Sequence, residues 1–136
     1  MQPDTLPDKP SDLIELALRD LNAVAANPEY AVDMKEWHKL SPRDNICHVC
    51  LAGAVMARTL GFQRERIASW DGLNSTTGKK LRALDFFRSG MIRSGLKRMG
   101  ITADIPSVDI PEYELDPEGF RNDLQEMANE LRGKGY

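Results

Sequence analysis

The sequence predicts a mainly α-helical fold, a small single-domain helical bundle around a central apolar helix, with an extended proline-containing arm. The chain has 136 residues, about the size of one domain. It is 41% hydrophobic and 29% charged, as globular domains are and disordered chains are not. Apolar residues recur every three or four positions, as on the buried face of a helix. Residues 1–10 hold three prolines without that periodicity, so we expect a flexible leader and a single helical domain over 11–136.

The first helix is predicted from Ser11 to about Ala26. Ser11 is a residue type that caps helices, and Asp12 places a carboxylate near the positive end of the helix dipole. Asn27-Pro28 is a typical signal for the end of a helix. The predicted buried face consists of Leu13, Ile14, Ala17, Leu18, Leu21, Val24 and Ala25.

The segment from Glu29 to Leu40 is ambiguous. Its apolar residues fit both the alternation of a strand and the spacing of a helix. We expect an irregular or short helical segment that places Trp37 on the core. The polar residues 41–45, which include Pro42, then predict a turn.

The central helix is predicted from Asn45 to Leu60. Asp44 or Asn45 can cap its start, and Gly61 is a typical residue just beyond a helix end. Because this run is apolar on almost every side, we expect it to be buried at the centre of the fold.

A basic helix is predicted from about Gly78 to Met99. The residues before it, 62–77, form a connection in which Ile67 and Trp70 are apolar anchors. Gly90 lies inside the predicted helix, where glycine costs about 1 kcal/mol relative to alanine. We therefore expect a kink there, or a break into two helices.

The last third is predicted to form an extended arm followed by a helix. Pro106 and Pro111 interrupt residues 101–115, which we expect to cross the surface as an arm, with an edge strand as the alternative. Asp116 and Pro117 are typical of a helix start. That helix should continue to about residue 131.

Charge is unevenly distributed along the chain. Residues 46–100 hold ten Lys/Arg and three Asp/Glu, whereas residues 101–136 hold three Lys/Arg and nine Asp/Glu. The net charge of the whole chain is −3. Either the acidic flanks neutralise the basic middle inside the fold, or the basic middle is a surface offered to a partner. Charge by itself favours the first interpretation. Because no catalytic set is evident, the basic face is nevertheless our candidate partner surface, with Lys79, Lys80, Arg82, Arg88, Arg93, Lys97 and the loop residue Trp70.

Nucleic-acid binding by the same face, residues 79–98, is the alternative. A helix with this many cations can follow a phosphate backbone, with an affinity that falls as the salt concentration rises. The net negative charge of the chain argues against a dedicated nucleic-acid binder. An acidic protein partner suits the same face.

The thiol pair of Cys47-His48-Val49-Cys50 is the second candidate site. In the predicted helix both thiols lie near the N-terminus, where a thiolate is stabilised, but no strand is predicted before them, as redox motifs normally have. Zinc would require Cys47, Cys50 and His38 with a fourth ligand, since His48 would point about 100° away from Cys47 on a helix. The apolar neighbours favour two buried structural thiols and no bound metal.

Neither an enzyme nor a membrane protein is expected. The chain has two histidines, His38 and His48, and no Ser/His/Asp set or carboxylate pair stands out for catalysis. The longest nearly apolar run, Ile46–Ala57, has 12 residues, too few to cross a bilayer as a helix. The N-terminus lacks the features of a secretory signal. We expect a cytoplasmic protein with reduced cysteines and no cofactor.

Three stretches resemble small, uncharacterised accessory proteins of tailed phages and prophages. They are EYAVDMKEWH at 29–38, CHVCLAGAVMA at 47–57 and KLRALDFFRSG at 80–90, and the resemblance extends from about Pro28 to Leu96. That group has no assigned activity, so the resemblance implies no catalytic residues. It implies a protein made in a bacterial cell that binds a host or phage macromolecule without catalysing a reaction.

Overall fold

The computed structural model describes residues 6–66, 73–89, 91–102 and 109–136. These residues are mainly helical, as predicted, with a three-stranded sheet that the sequence did not predict. The elements are α1 (Pro10–Ala25), β1 (Tyr30–Val32), β2 (His38–Leu40), β3 (Cys47–Val49), α2 (Leu51–Thr59), α3 (Ser75–Asp85), a 3₁₀ turn (Phe86–Ser89), α4 (Ile92–Arg98) and α5 (Pro117–Gly133). Within the described part of the chain, no helix is both long and apolar enough to span a membrane.

Helix α1 begins one residue before the predicted cap. Pro10 occupies the first helical position, where its missing N–H and fixed φ are favourable, and Lys9 is the N-cap without a side-chain capping bond. Ser11 does not cap the helix; its hydroxyl donates instead to the Tyr136 carbonyl at 2.7 Å. Five residues of the predicted leader, 6–10, belong to the described structure, and Leu6 is buried.

The predicted helix over Asn45–Leu60 is wrong in its first part. Cys47–Val49 is the central strand of the sheet, with β1 parallel on one side and β2 antiparallel on the other. The irregular or short helical segment predicted over Glu29–Leu40 is wrong where β1 and β2 lie, whereas Trp37 between them packs against the core as predicted. A short apolar run fits a strand as well as a helix, and the strand forms because its backbone groups find partners on both sides.

Helix α2 starts at Leu51 and is buried on all sides from Leu51 to Ala57. Gly53 lets the sheet approach this helix, since a Cβ at that position would collide with the Trp37 carbonyl oxygen. Gly61 follows the helix end with a φ of 66°, which glycine adopts without strain, and confirms the predicted stop.

The predicted basic helix is broken near Gly90, as expected. Helix α3 starts at Ser75, three residues earlier than predicted, because the Asn74 side chain accepts from the Thr77 amide at 2.8 Å. It ends at Asp85, and α4 runs beyond the 3₁₀ turn.

Helix α5 confirms the predicted start and packs against α1. The Asp116 side chain accepts from the Gly119 amide at 2.9 Å, and Pro117 is the first helical residue. Of the predicted arm, the structure describes residues 101–102 and 109–115, and neither part forms a strand. Ile101 is fully buried, so the start of the arm is fixed to the core.

Candidate functional site

The predicted basic face lies on α3 and α4. Four of its cations are exposed: Lys79, Arg82, Arg93 and Lys97. Lys80 is half-buried. The Arg88 side chain and Trp70 lie outside the described residues, so their predicted contribution stays a prediction.

The 3₁₀ turn folds α4 back against α3 and fixes this surface. Phe87, Leu84 and Leu96 are buried in the core. A side chain at Gly95 would collide with the Phe87 ring, so glycine allows the close approach of α4. With the apolar side chains turned inward, the cations of both helices face outward. Both helices thus carry exposed cations, and Lys79 and Lys80 of α3 line a common cavity with Arg98 of α4.

A cavity of about 220 Å³ lies in this surface, between α3, the end of α4 and the segment that leads into α1. We call it the α3–α4 cleft. Its polar residues are Asp8, Thr76, Lys79, Lys80 and Arg98, and its apolar residues are Pro10, Leu13, Ala83 and Met99. Three cations from two helices therefore meet an apolar wall, an arrangement that suits an anionic group next to an aliphatic one.

Lys80 is held in the cleft by the N-terminal segment. Its Nζ donates to the Leu6 carbonyl oxygen at 2.9 Å and to Asp8 Oδ1 at 2.8 Å. The hydrogen bond and the charge of Lys80 lower the pKa of Asp8, which is therefore ionised at neutral pH. The Lys80 side chain is 18% exposed and the Asp8 side chain 97% exposed, so a sheltered ammonium binds a carboxylate that reaches it from solvent.

Arg98 connects the cleft to a second, acidic groove. Its guanidinium carbon lies 4.6 Å from the centre of the Phe86 ring, a cation–π contact that orients the side chain. Phe86 also lines an open groove of about 580 Å³, whose further lining residues are Met34, Lys35, Asp85, Met91, Glu112 and Glu114. Basic and acidic surfaces thus meet at Phe86.

The ion pairs show which part of the basic segment is neutralised within the fold. Arg58 pairs with Asp20 at 2.8 Å and Arg64 with Glu29 at 2.7 Å, so the acidic N-terminal third neutralises these two cations. The acidic C-terminal third contributes α5, and Arg132 of α5 binds carboxylates of α1. Self-neutralisation is therefore observed at Arg58 and Arg64 and also at Lys80, which pairs with Asp8, while α5 packs against α1.

The thiols occupy positions that the helical prediction did not foresee. Cys47 is the first residue of β3 and Cys50 is the N-cap of α2, so the first thiol belongs to a strand and the second directly follows it. Both are buried and form no disulfide. Cys50 Sγ accepts from the Gly53 amide at 3.4 Å and contacts Asp85 Oδ1 at 3.5 Å. The sulfurs are thus enclosed by the protein.

Cys47 Sγ lies 3.7 Å from both ring nitrogens of His38. Burial raises the pKa of Cys47 to about 11 and lowers the pKa of His38, so a neutral thiol faces a neutral imidazole at pH 7. His48 is on the opposite face of β3, 3.6 Å from Asp33 and 3.5 Å from Asp44. Among the described residues, no group of three or more His, Cys, Asp and Glu is placed to hold a metal ion.

Comparison with family models, curated proteins and solved structures gave no match. The evidence for function is therefore the surface itself. Sequence reasoning missed Asp8, Thr76 and the contact of Lys80 with the N-terminal segment. No local sequence pattern predicts that contact, because Asp8 and Lys80 are 72 residues apart.

Proposed function

We propose that this chain is a non-enzymatic binding protein that uses the basic surface of α3 and α4 to bind an acidic macromolecular partner. The observation that supports it is the α3–α4 cleft, where Lys79, Lys80 and Arg98 surround an apolar wall. Following the resemblance to tailed-phage and prophage accessory proteins, we propose a host or phage protein as the partner, met in the bacterial cytoplasm. The buried helix α2 would act as the central scaffold of a helical bundle.

A protein partner suits this surface better than a nucleic acid does. The cleft includes apolar residues, and Phe86, which contacts Arg98 of the cleft, also lines an acidic groove with Asp85, Glu112 and Glu114. A phosphate backbone that crossed this region would meet those carboxylates, whereas an acidic segment of a protein can end at the cleft. Complementary charge would also speed association.

Nucleic-acid binding is the second candidate function. The exposed positions of Lys79, Arg93 and Lys97 on neighbouring helices favour it. Its signature is a steep loss of affinity between about 50 and 200 mM salt. A thiol function has weaker support, because a thiol with a pKa of about 11 holds almost no thiolate at neutral pH.

The test is a titration of poly-L-glutamate and of duplex DNA into three forms of the full chain. The first is wild type, and the second carries Lys79→Glu, Arg93→Glu and Lys97→Glu. The third carries the matched changes Arg19→Glu, Lys39→Glu and Arg43→Glu, which alter net charge equally at exposed positions on α1, on β2 and beyond β2. We expect the second form to lose affinity for poly-L-glutamate about tenfold or more, while the third keeps most of it.

Equal losses in the two triple variants would contradict the proposal, since total charge rather than this surface would then govern binding. Tighter binding of DNA than of poly-L-glutamate by wild type at the same salt would favour the nucleic-acid alternative.

A further inference from the structure

The α3–α4 cleft already binds a carboxylate of the chain itself. The Lys80 ammonium donates hydrogen bonds both to the Leu6 carbonyl oxygen and, two residues later, to the Asp8 carboxylate. Leu6 is 3% exposed, so its side chain anchors this segment in the core. The segment 6–8 therefore has an apolar anchor at one end and an exposed carboxylate at the other.

The cleft offers more positive charge than one carboxylate needs. Lys79 and Arg98 line the same cavity as Lys80, and Thr76 adds a hydroxyl-bearing side chain. The Arg98 guanidinium is oriented by the Phe86 ring, so its place beside the cleft is defined. Cations held in position before a ligand arrives bind it with a smaller loss of side-chain entropy.

We infer that the α3–α4 cleft is a carboxylate subsite for an acidic segment of the protein partner, and that Asp8 occupies it as an intramolecular competitor. This inference rests on the proposed function, because it assigns the ligand chemistry of the same surface. The partner's carboxylate replaces Asp8 at Lys80, and an aliphatic side chain beside it contacts Met99, the partly exposed residue of the apolar wall. A tethered competitor has a high effective concentration and weakens the apparent affinity of an external ligand.

The probe that tests this subsite is the tripeptide acetyl-Leu-Pro-Asp-amide, which copies residues 6–8. Binding is followed by the amide shifts of α3 and of the end of α4 in ¹H–¹⁵N spectra of the full chain. In Asp8→Asn the dissociation constant should fall about two- to fivefold relative to wild type, as expected for removing a solvent-exposed ion pair. Glu126→Gln, which removes one exposed carboxylate on α5, should leave it unchanged.

Two further probes define the ligand. Acetyl-Leu-Pro-Asn-amide should give no saturable shifts in the cleft, because it lacks the carboxylate. Inorganic phosphate should bind more weakly than the aspartate peptide, because it leaves the apolar wall uncovered. Equal binding of the asparagine peptide would overturn the carboxylate subsite, and equal binding of phosphate would reduce it to a general anion site.

The same dissociation constant in wild type and Asp8→Asn would overturn the role of Asp8 as a competitor. This failure differs from that of the proposed function. If the triple variant of α3 and α4 loses poly-L-glutamate binding while the aspartate peptide does not bind the cleft, the proposed function is supported and the carboxylate subsite is contradicted. If the peptide binds the cleft but the triple variant keeps its affinity for poly-L-glutamate, the carboxylate subsite is supported and the proposed function is contradicted.

Discussion

Two helix pairs of this chain use charge in different ways. Where α1 and α5 pack together, the Arg132 guanidinium lies 3.0 Å from Asp12 and 2.6 Å from Glu15, so opposite charges join the two helices. The second pair, α3 and α4, presents exposed cations that include Lys79, Arg93 and Lys97. Charge stabilises a contact within the fold in the first pair, whereas in the second these three cations face solvent.

The largest expected loss of stability comes from a change in the core of the α1–α5 pair. Phe120 is 1% exposed, and its ring meets Tyr113 edge-on at 5.6 Å. Phe120→Ala should lower the free energy of unfolding by about 3–5 kcal/mol, measured by urea denaturation. Phe86→Ala is the matched change in the second pair, and it should cost less because Phe86 is half-buried. Equal losses would mean that the two pairs contribute alike to stability.

A second variant removes an ion pair that belongs to the fold. Asp20 is 2% exposed and depends on Arg58, whose Nε donates to it at 2.8 Å, while burial raises the pKa of Asp20. Arg58→Ala leaves this carboxylate buried without that donor and should destabilise the chain by about 1–3 kcal/mol. Asp20→Asn combined with Arg58→Ala should recover part of the loss. No recovery in the double variant would show that Arg58 acts through its packing instead.

Alkaline pH probes the sheet, which packs against α1 and α2. Burial raises the pKa of Cys47 from 9.0 to about 11 and that of Tyr30 from 10.0 to about 12. The unfolded chain therefore ionises first, and the free energy of unfolding should fall as pH rises from about 9 towards 12. Urea midpoints at several pH values, compared between wild type and Cys47→Ala, measure this. The variant should show a shallower decline, and an identical decline would contradict the shift at Cys47.

The smallest expected effect on stability lies on the basic surface. The free energy of unfolding should change by only about 0.5 kcal/mol per site or less in the variant that combines Lys79→Glu, Arg93→Glu and Lys97→Glu. Exposed charges contribute little to folding. The same denaturation experiment checks this. A loss as large as that of Phe120→Ala would show that these side chains hold the fold together.

Local signals in the sequence predicted some helix ends correctly. Asp116 and Pro117 mark the start of α5, and Gly61 marks the end of α2, because capping depends on neighbouring residues. The sheet was missed for the opposite reason. Cys47–Val49 forms a strand because residues 30–32 and 38–40 pair with it, and that pairing cannot be read from the apolar run itself.

The candidate site was predicted in part. The run of cations from Lys79 to Lys97 predicted a basic surface. The expected break near Gly90 indicated that these cations lie on two helices. The cleft depends on the fold, because Asp8 and Leu6 reach Lys80 from more than 70 residues away. Long-range contacts of this kind follow from packing and not from spacing.

The most informative single measurement is the affinity of a partner protein captured from an extract of the cells in which this chain is made. Wild type and the two triple variants are immobilised, and any retained protein is purified and titrated into each form. The account predicts an acidic protein that binds wild type and the Arg19, Lys39, Arg43 variant with similar affinity, and the Lys79, Arg93, Lys97 variant at least about tenfold more weakly. A partner that binds all three forms equally would contradict it.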